Sequence, residues 1–337
     1  MAQRDSVVSL SRLSPGAVIG GDFVVVQRIA GGAMGTVYLV EQKSTGRKRA
    51  LKVMNAKFAR DPKGRERFAR EAKLNASVES DHVVEVLSAG VDDETGVPWI
   101  AMELLEGEEL AARVSKGWKP TRDEATLLLA QLGNGLGAAH RAGLVHRDLK
   151  PENVFLAKPK GAAGAGDVVK LVDFGLAKIV STLDQTGTFI GAGSPMWVAP
   201  EQSESKVAIT PATDLWAFAL IAFWLLTGKH YWKSADNDAS LIDMVREIAA
   251  GVTDTASVRA RSLAVSEAIP PGFDPWFARC TERDPSKRFR DGDEATAALM
   301  AVLKARPARA RTIAVIVAVI AAIVLAVVVL LAVIARR

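Results

Sequence analysis

β-branched and aromatic positions crowd the start of the chain, and small residues break them up. Phe23-Val24-Val25-Val26 reads as a strand, because branched side chains fit a pleated surface better than a helix. It runs into Ile29-Ala30-Gly31-Gly32-Ala33-Met34-Gly35-Thr36-Val37-Tyr38, a glycine-rich stretch that predicts a hairpin. After a turn at Ser44-Thr45-Gly46, Ala50-Leu51-Lys52-Val53 reads as the next strand, with a lysine inside an otherwise apolar run. Residues 64–78 change to a helical period, with Phe68, Ala72 and Val78 inward. Strands around 83–87 and 99–102 complete a small sheet. From residue 108 the pattern is helical, with a long apolar-periodic segment over 125–140 and an apolar helix opening at 213–218. Two short apolar runs, 154–156 and 168–172, read as strands within that part. The order is a small β-rich unit followed by a larger helical one. Residues 1–20 read as a loose leader ending in a Pro15-Gly16 turn.

Composition changes the picture at one end. Residues 312–335 hold no charge in 24 positions, which as a helix would reach about 36 Å, enough to cross a hydrocarbon layer of about 30 Å. A short basic linker, 304–311, precedes it. Six of the 43 basic residues lie beyond residue 303, where no acid follows, and the remaining 37 face 38 acids. The net charge of +5 therefore belongs to the flanks of the apolar segment, which argues against a nucleic-acid-binding surface. The lone Cys280 excludes an intramolecular disulfide. Residues 1–12 are polar and do not read as a secretory signal.

The chemistry concentrates in His146-Arg147-Asp148-Leu149-Lys150-Pro151-Glu152-Asn153. Asp148 can accept a proton, Lys150 can neutralise a developing negative charge, and Asn153 offers an amide oxygen to a hard cation. Pro151 stiffens the loop. Twenty residues on, Asp173-Phe174-Gly175 puts a second acid at the end of a second strand, where it could share a metal with Asn153. A base, a metal clamp and positive charge around one point are what phosphoryl transfer needs.

These stretches resemble the motifs of the bacterial eukaryotic-like (Hanks-type) Ser/Thr protein kinases, over residues 22–300. The resemblance implies an α+β fold of two lobes: a β-rich N-lobe to about residue 105 and a helical C-lobe from about 106, together spanning 21–303. It implies that ATP and Mg²⁺ are the cofactors. The hairpin residues Ile29, Ala30, Gly31, Gly32, Ala33, Met34 and Gly35 would cover the phosphates, with Ala30 standing where the family has its first glycine. Lys52 would hold the α- and β-phosphates and be tethered by Glu71. Val37 and Ala50 would contact the adenine, Met102 would set the depth of its pocket, and Glu103 and Leu105 would bond it through their backbone. Asp148, Lys150 and Asn153 would be catalytic, with Asn153 and Asp173 on the metal. Gly193-Ser194-Pro195-Met196-Trp197-Val198-Ala199-Pro200-Glu201 resembles the substrate-docking loop, Asp214 the aspartate that braces the catalytic loop, and Arg288 the partner of Glu201.

Several expectations follow. Lys150 in Asp148-Leu149-Lys150-Pro151-Glu152-Asn153 is the family's form for Ser/Thr substrates, so the implied partners are protein hydroxyls, including the chain's own. Phosphate on Thr186 or Thr188, in the segment 178–193, is expected to pair with Arg147. The apolar segment implies a single-pass anchor in the cell membrane with the kinase domain in the cytoplasm, since basic residues dominate before it. Ala314, Ala318, Ala322 and Ala326 recur at intervals of four, a pattern that lets two such helices pack into a homodimer. The rival reading is a membrane-tethered pseudokinase, a scaffold that binds partners without transfer. Its support is Ala30, and the complete set of Lys52, Asp148, Asn153 and Asp173 opposes it.

Overall fold

The computed structural model describes residues 13–32, 35–55, 62–159, 166–174, 195–204, 207–235 and 240–305. The first lobe is built on six strands: β1 (Val18–Ile19), β2 (Phe23–Gly31), β3 (Gly35–Gln42), β4 (Arg47–Met54), β5 (Val86–Val91) and β6 (Pro98–Met102). They form one antiparallel sheet in the order β1-β2-β3-β4-β6-β5. Alternation sorts their side chains onto two faces. Phe23, Val25, Tyr38, Val40, Leu51, Val53 and Ala101 pack into one core with Ile19, Val97 and Trp99. The Phe23 and Trp99 rings meet edge to face at 5.1 Å. Ala50 and Met102 belong to a second, smaller apolar cluster with Val84, flanked by Val37, Leu104, Leu105 and Val172. The helix α1 (Pro62–Ala76) crosses this sheet and buries Phe68 and Ala72, as its period predicts. Val78 lies beyond the helix end and is only partly buried.

Two details differ from the sequence expectation. The leader is docked from Leu13 onward: Leu13 N–H donates to the Tyr38 hydroxyl at 2.9 Å, and Ile19 is 2% exposed. An apolar residue that can close the end of a sheet core is held there despite the polar chain before it. The strand expected at 83–87 begins at Val86 instead. Val83 and Val84 turn to the second lobe, where Val84 N–H donates to Leu171 O at 2.9 Å and Val83 bridges Leu171.

The second lobe starts with β7 (Gly107–Glu109) and α2 (Leu110–Ser115), followed by α3 (Arg122–Arg141). Thr121 and Glu124 close a reciprocal capping box at the start of α3. Strands β8 (Val154–Ala157) and β9 (Val168–Leu171) join β7 in a three-stranded antiparallel sheet. Helix α4 (Pro211–Thr227) is apolar on all sides and buried from Ala212 to Leu225, so it forms the axis of the lobe. The helices α5 (Leu241–Ala250), α6 (Ala256–Ser262), α7 (Phe273–Cys280) and α8 (Gly292–Lys304) complete it, and Phe218 and Trp276 meet edge to face at 5.7 Å. Among the described residues no helix is long and apolar enough to cross a membrane, and the segment 312–335 lies outside them.

Candidate active site

The loop between α3 and β8 is shaped by hydrogen bonds to its own backbone. Asp214, at the start of α4, accepts from His146 N–H at 2.7 Å and Arg147 N–H at 2.8 Å. This is the brace expected from the sequence. Burial alone would push the Asp214 carboxyl up, but hydrogen bonds from His140 and the Arg147 amide, and the nearby imidazoles, hold it below the usual carboxylate range. His146 is fully buried, and burial lowers its pKa against the pull of Asp214, Asp148 and Asp173. Its Nε2 meets Val172 O at 3.0 Å and its ring lies 4.4 Å from that of Phe174. Arg147 is held in the left-handed region, φ 66°, which a non-glycine residue adopts only under constraint.

Three side chains converge on this loop. Lys150 Nζ lies 2.9 Å from Asp148 Oδ2. Asn153 Nδ2 donates to the Asp148 main-chain carbonyl at 2.7 Å and to its carboxylate at 3.1 Å. With its nitrogen committed to Asp148, the Asn153 amide has its oxygen left for a cation. Val172 N–H donates to Asn153 O at 3.0 Å and so draws the end of β9, with Asp173, up to the loop. From the first lobe, Lys52 reaches the same place: its Nζ lies 2.7 Å from Asp173 Oδ1, with the lysine buried and the aspartate 35% exposed. The cleft between the lobes thus gathers Lys52, Asp148, Lys150, Asn153 and Asp173.

The segment 195–204 lies alongside the loop and is fixed to the second lobe. Arg288 grips Glu201 with two bonds of 2.8 Å, and both side chains are excluded from water. Arg288 also donates to the carbonyls of Ala212 and Glu282 and stands over the Trp216 ring, so the buried pair is fully engaged. Trp232 Nε1 donates to Met196 O at 2.7 Å.

The protein kinase domain family matches residues 23–300, which takes in both lobes and every residue just described. The chain belongs to the protein kinase family. The serine/threonine-protein kinase PknL of Mycobacterium tuberculosis is 34% identical over 276 residues, 82% of this chain and 64% of PknL. The serine/threonine-protein kinase PknA of Corynebacterium glutamicum is 28% identical over 316 residues, 93% of this chain and 62% of PknA. The chain spans less than two thirds of the length of either. The crystal structure of the Mycobacterium tuberculosis PknI kinase domain has a TM-score of 0.63 and 26% identity, covering 86% of this chain and 98% of that one. The bilobal kinase fold expected from the sequence is therefore the fold of the chain.

One expected kinase contact is replaced. Among the described residues, Lys52 is paired with Asp173, and Glu71 lies 3.9 Å from Arg147 Nη1. The tether expected between Lys52 and Glu71 gives way because each meets a closer opposite charge in the second lobe. The Arg147 Nε and Nη1 atoms are buried without a hydrogen-bond partner among the described residues.

The donors around the cleft suit the cofactors of the family. Mg²⁺ is bound through a few protein oxygens completed by phosphates and water, and the Asp173 carboxylate and Asn153 amide supply such oxygens. A Cβ at Gly35 would collide with Val53 O, so only glycine lets the hairpin lie flat on β4, while Gly32 has open space around it among the described residues. The cluster of Ala50, Val84 and Met102 beside Leu105 offers apolar contact for a flat ring. Glu103 contributes its side chain to the linking segment itself: Oε1 accepts from Lys170 Nζ at 2.6 Å and from Glu85 N–H at 3.2 Å. Ile29, Ala30 and Gly31 are exposed on β2, with Ala30 opposite Val37. Ala33, Met34, Gly175, Thr186, Thr188 and Ser194 lie outside the described residues.

Sequence reasoning passed over His140. It ends the apolar run of α3, yet its Nδ1 accepts from Gly292 N–H at 3.0 Å and its Nε2 donates to Asp214 at 2.9 Å. It links the start of α8 to the brace of the catalytic loop. A buried polar residue at the end of an apolar helix face was the available signal.

Proposed function

We propose that the chain is a serine/threonine protein kinase that uses ATP and Mg²⁺ to phosphorylate protein hydroxyls, its own included. The observation that carries this is the convergence of Asp148, Lys150, Asn153, Asp173 and Lys52 in one cleft. The Ser/Thr class is supported by Lys150 two residues after Asp148 and by the names of the relatives.

ATP supplies the phosphoryl group, and Mg²⁺ screens the charge on its phosphates. Asp148, held through its main-chain carbonyl by Asn153, orients the attacking hydroxyl and takes its proton. Lys150 brings positive charge to the oxygens that carry negative charge as transfer proceeds. Asn153 and Asp173 are the residues that would hold the metal, and Lys52 the one that would hold the phosphates. The glycine-rich stretch from Ile29 to Gly35 would cover them. Val37, Ala50 and Met102 would enclose the adenine, and the main chains of Glu103 and Leu105 would bond it. Catalysis here is positioning plus electrostatics, so the groups must act together. The test is incubation of the purified chain with labelled ATP and Mg²⁺, then mapping of phosphosites. Label on serine or threonine, absent from Asp148→Asn, is expected. No label in the wild-type chain, or equal label in both, overturns the reading.

In the same proposal, residues 312–335 anchor the kinase in the cell membrane with residues 1–303 in the cytoplasm, where ATP is available. Protease added outside intact cells should leave the kinase domain untouched, and its digestion would reverse this topology. The alanine face of the segment would bring two copies together and promote phosphorylation of one by the other. Replacing Ala318 and Ala322 by leucine should lower activation-segment phosphorylation in membranes. An unchanged level removes the dimer from the proposal.

A further inference from the structure

Gln202 follows Glu201 in the segment beside the catalytic loop, and its side chain joins the two. Its Oε1 accepts from Ala199 N–H at 2.9 Å, and its Nε2 donates to the main-chain carbonyl of Arg147 at 2.6 Å. The first bond fixes the amide orientation, since an oxygen is needed opposite an N–H, so the nitrogen must face Arg147. That carbonyl is no ordinary one. The C=O of Arg147 and the N–H of Asp148 lie in one rigid peptide plane. Arg147 itself stands at φ 66°, a conformation a non-glycine residue keeps only where its surroundings hold it. Asp214 holds the N–H side of Arg147 at 2.8 Å, and Gln202 holds its carbonyl side. The two peptide planes that flank the Arg147 Cα are therefore each fixed, the preceding one by Asp214 and the one from which Asp148 projects by Gln202. Gln202 is in turn part of a rigid body, because Glu201 next to it is locked to Arg288.

We infer that Gln202 is a positioning residue: through Arg147 it sets Asp148 relative to the segment that docks the polypeptide substrate. The inference rests on the kinase activity proposed above. A bond from the docking segment to the plane that carries the base keeps the acceptor hydroxyl and the carboxylate in register, and a small misplacement there lowers the rate of transfer without touching the nucleotide.

Gln202→Glu isolates this bond. It keeps the size of the side chain and the acceptor for Ala199, but places a carboxylate oxygen against the Arg147 carbonyl. The wild-type chain and the variant are incubated with ATP and Mg²⁺ until self-labelling levels off. Initial rates on an added serine/threonine peptide are then measured over a range of ATP. The expected result is a kcat lowered about tenfold, equal to about 1.4 kcal/mol, with the KM for ATP within about twofold and an unchanged thermal midpoint. Gln202→Met, which loses both bonds without adding charge, should lower kcat less. It carries the test by the same criterion should the glutamate variant fail to fold. A folded variant with wild-type kcat overturns the inference, and so does a loss that appears in the KM for ATP instead. A wild-type chain that labels no peptide overturns the kinase reading itself, so the two failures are distinct.

Discussion

Lys52 Nζ lies 2.7 Å from Asp173 Oδ1, so the lysine of the first lobe neutralises the acid of the second. The same carboxylate is one of the two oxygens available to a metal, and an ammonium group already beside it competes with a divalent cation. Glu71, 3.9 Å from Arg147, is paired in parallel across the lobes. Both links join α1 and β4 to the catalytic loop and β9, and both must loosen for Lys52 to serve a phosphate and Asp173 a metal.

The first prediction follows from that competition. Lys52→Met should bind Mg²⁺ more tightly than the wild-type chain when no nucleotide is present, by about tenfold, or about 1.4 kcal/mol. The same variant should lose phosphoryl transfer by about a hundredfold or more, because the charge that would hold the phosphates is gone while Lys150 alone remains. Calorimetric titration with Mg²⁺ checks the first effect and label incorporation the second. Unchanged Mg²⁺ affinity would mean that the ion pair does not guard the metal site.

A second prediction concerns Arg147. Its Nε and Nη1 are buried without hydrogen bonds among the described residues, and its contact with Glu71 is too long to be one. A phosphate on Thr186 or Thr188 brings about −1.5 to −2 charge and several acceptor oxygens, enough to satisfy those atoms and release Glu71. The double Thr186→Ala, Thr188→Ala variant should lose about tenfold or more in activity on an added peptide. Arg147→Met should lose a similar factor, and the triple variant should lose little more, since all act through one contact. Independent, multiplying losses in the triple variant would separate Arg147 from the threonines.

Much of this was legible in the chain, for physical reasons that can be named. Alternation along Ala50-Leu51-Lys52-Val53 put Lys52 on the face opposite Leu51, and the apolar residues after Asp214 marked the helix that the fold buries all round. Asp148, Lys150 and Asn153 are neighbours in sequence, so a stiff loop sufficed to bring them together. Glu71 was not legible. Lys52 and Arg147 both lie within reach of α1, and which of them Glu71 meets depends on how the helix sits between the lobes, a tertiary distance that no local pattern encodes. His140 and Gln202 were missed for a related reason. Their partners, Asp214 and Arg147, lie far off in sequence, and the only local signal was a polar residue at the end of an apolar face, His140.

A third prediction concerns the departure from the glycine pattern. Ala30 is exposed on β2 next to an irregularity in the pairing with β3, so its methyl group meets little. Ala30→Gly should change ATP affinity by less than about tenfold, equivalent to about 1.4 kcal/mol. Equilibrium titration with nucleotide measures it directly. A larger change would show that the hairpin depends on the methyl group.

The last prediction is a pH dependence of stability centred on His146. The neutral ring satisfies its surroundings: Nε2 donates to Val172 O, and Nδ1 accepts from Asp148 N–H at 3.4 Å. Burial holds its pKa below the ordinary value of 6.5. Above that value both folded and unfolded chains carry a neutral ring, and the contribution to stability is complete. As the pH falls below it, the unfolded chain takes up a proton that the folded chain refuses, and stability declines by up to about 1.4 kcal/mol per pH unit until the folded pKa is reached. Asp214 acts in a separate window. Its folded pKa is depressed, so its contribution persists above about 3.8 and is lost only as the pH falls further. The test is urea unfolding of the wild-type chain and His146→Gln at about pH 7.5 and about pH 5.5, a step that leaves Asp214 ionised in both. The variant should be less stable at the higher pH but should lose about 1 kcal/mol less on the step down. His82, His140 and His230 are common to both chains and drop out of the difference. Equal losses in the two chains would mean that the buried ring accepts its proton without penalty, and that the burial of His146 does not set the acid limit of the fold.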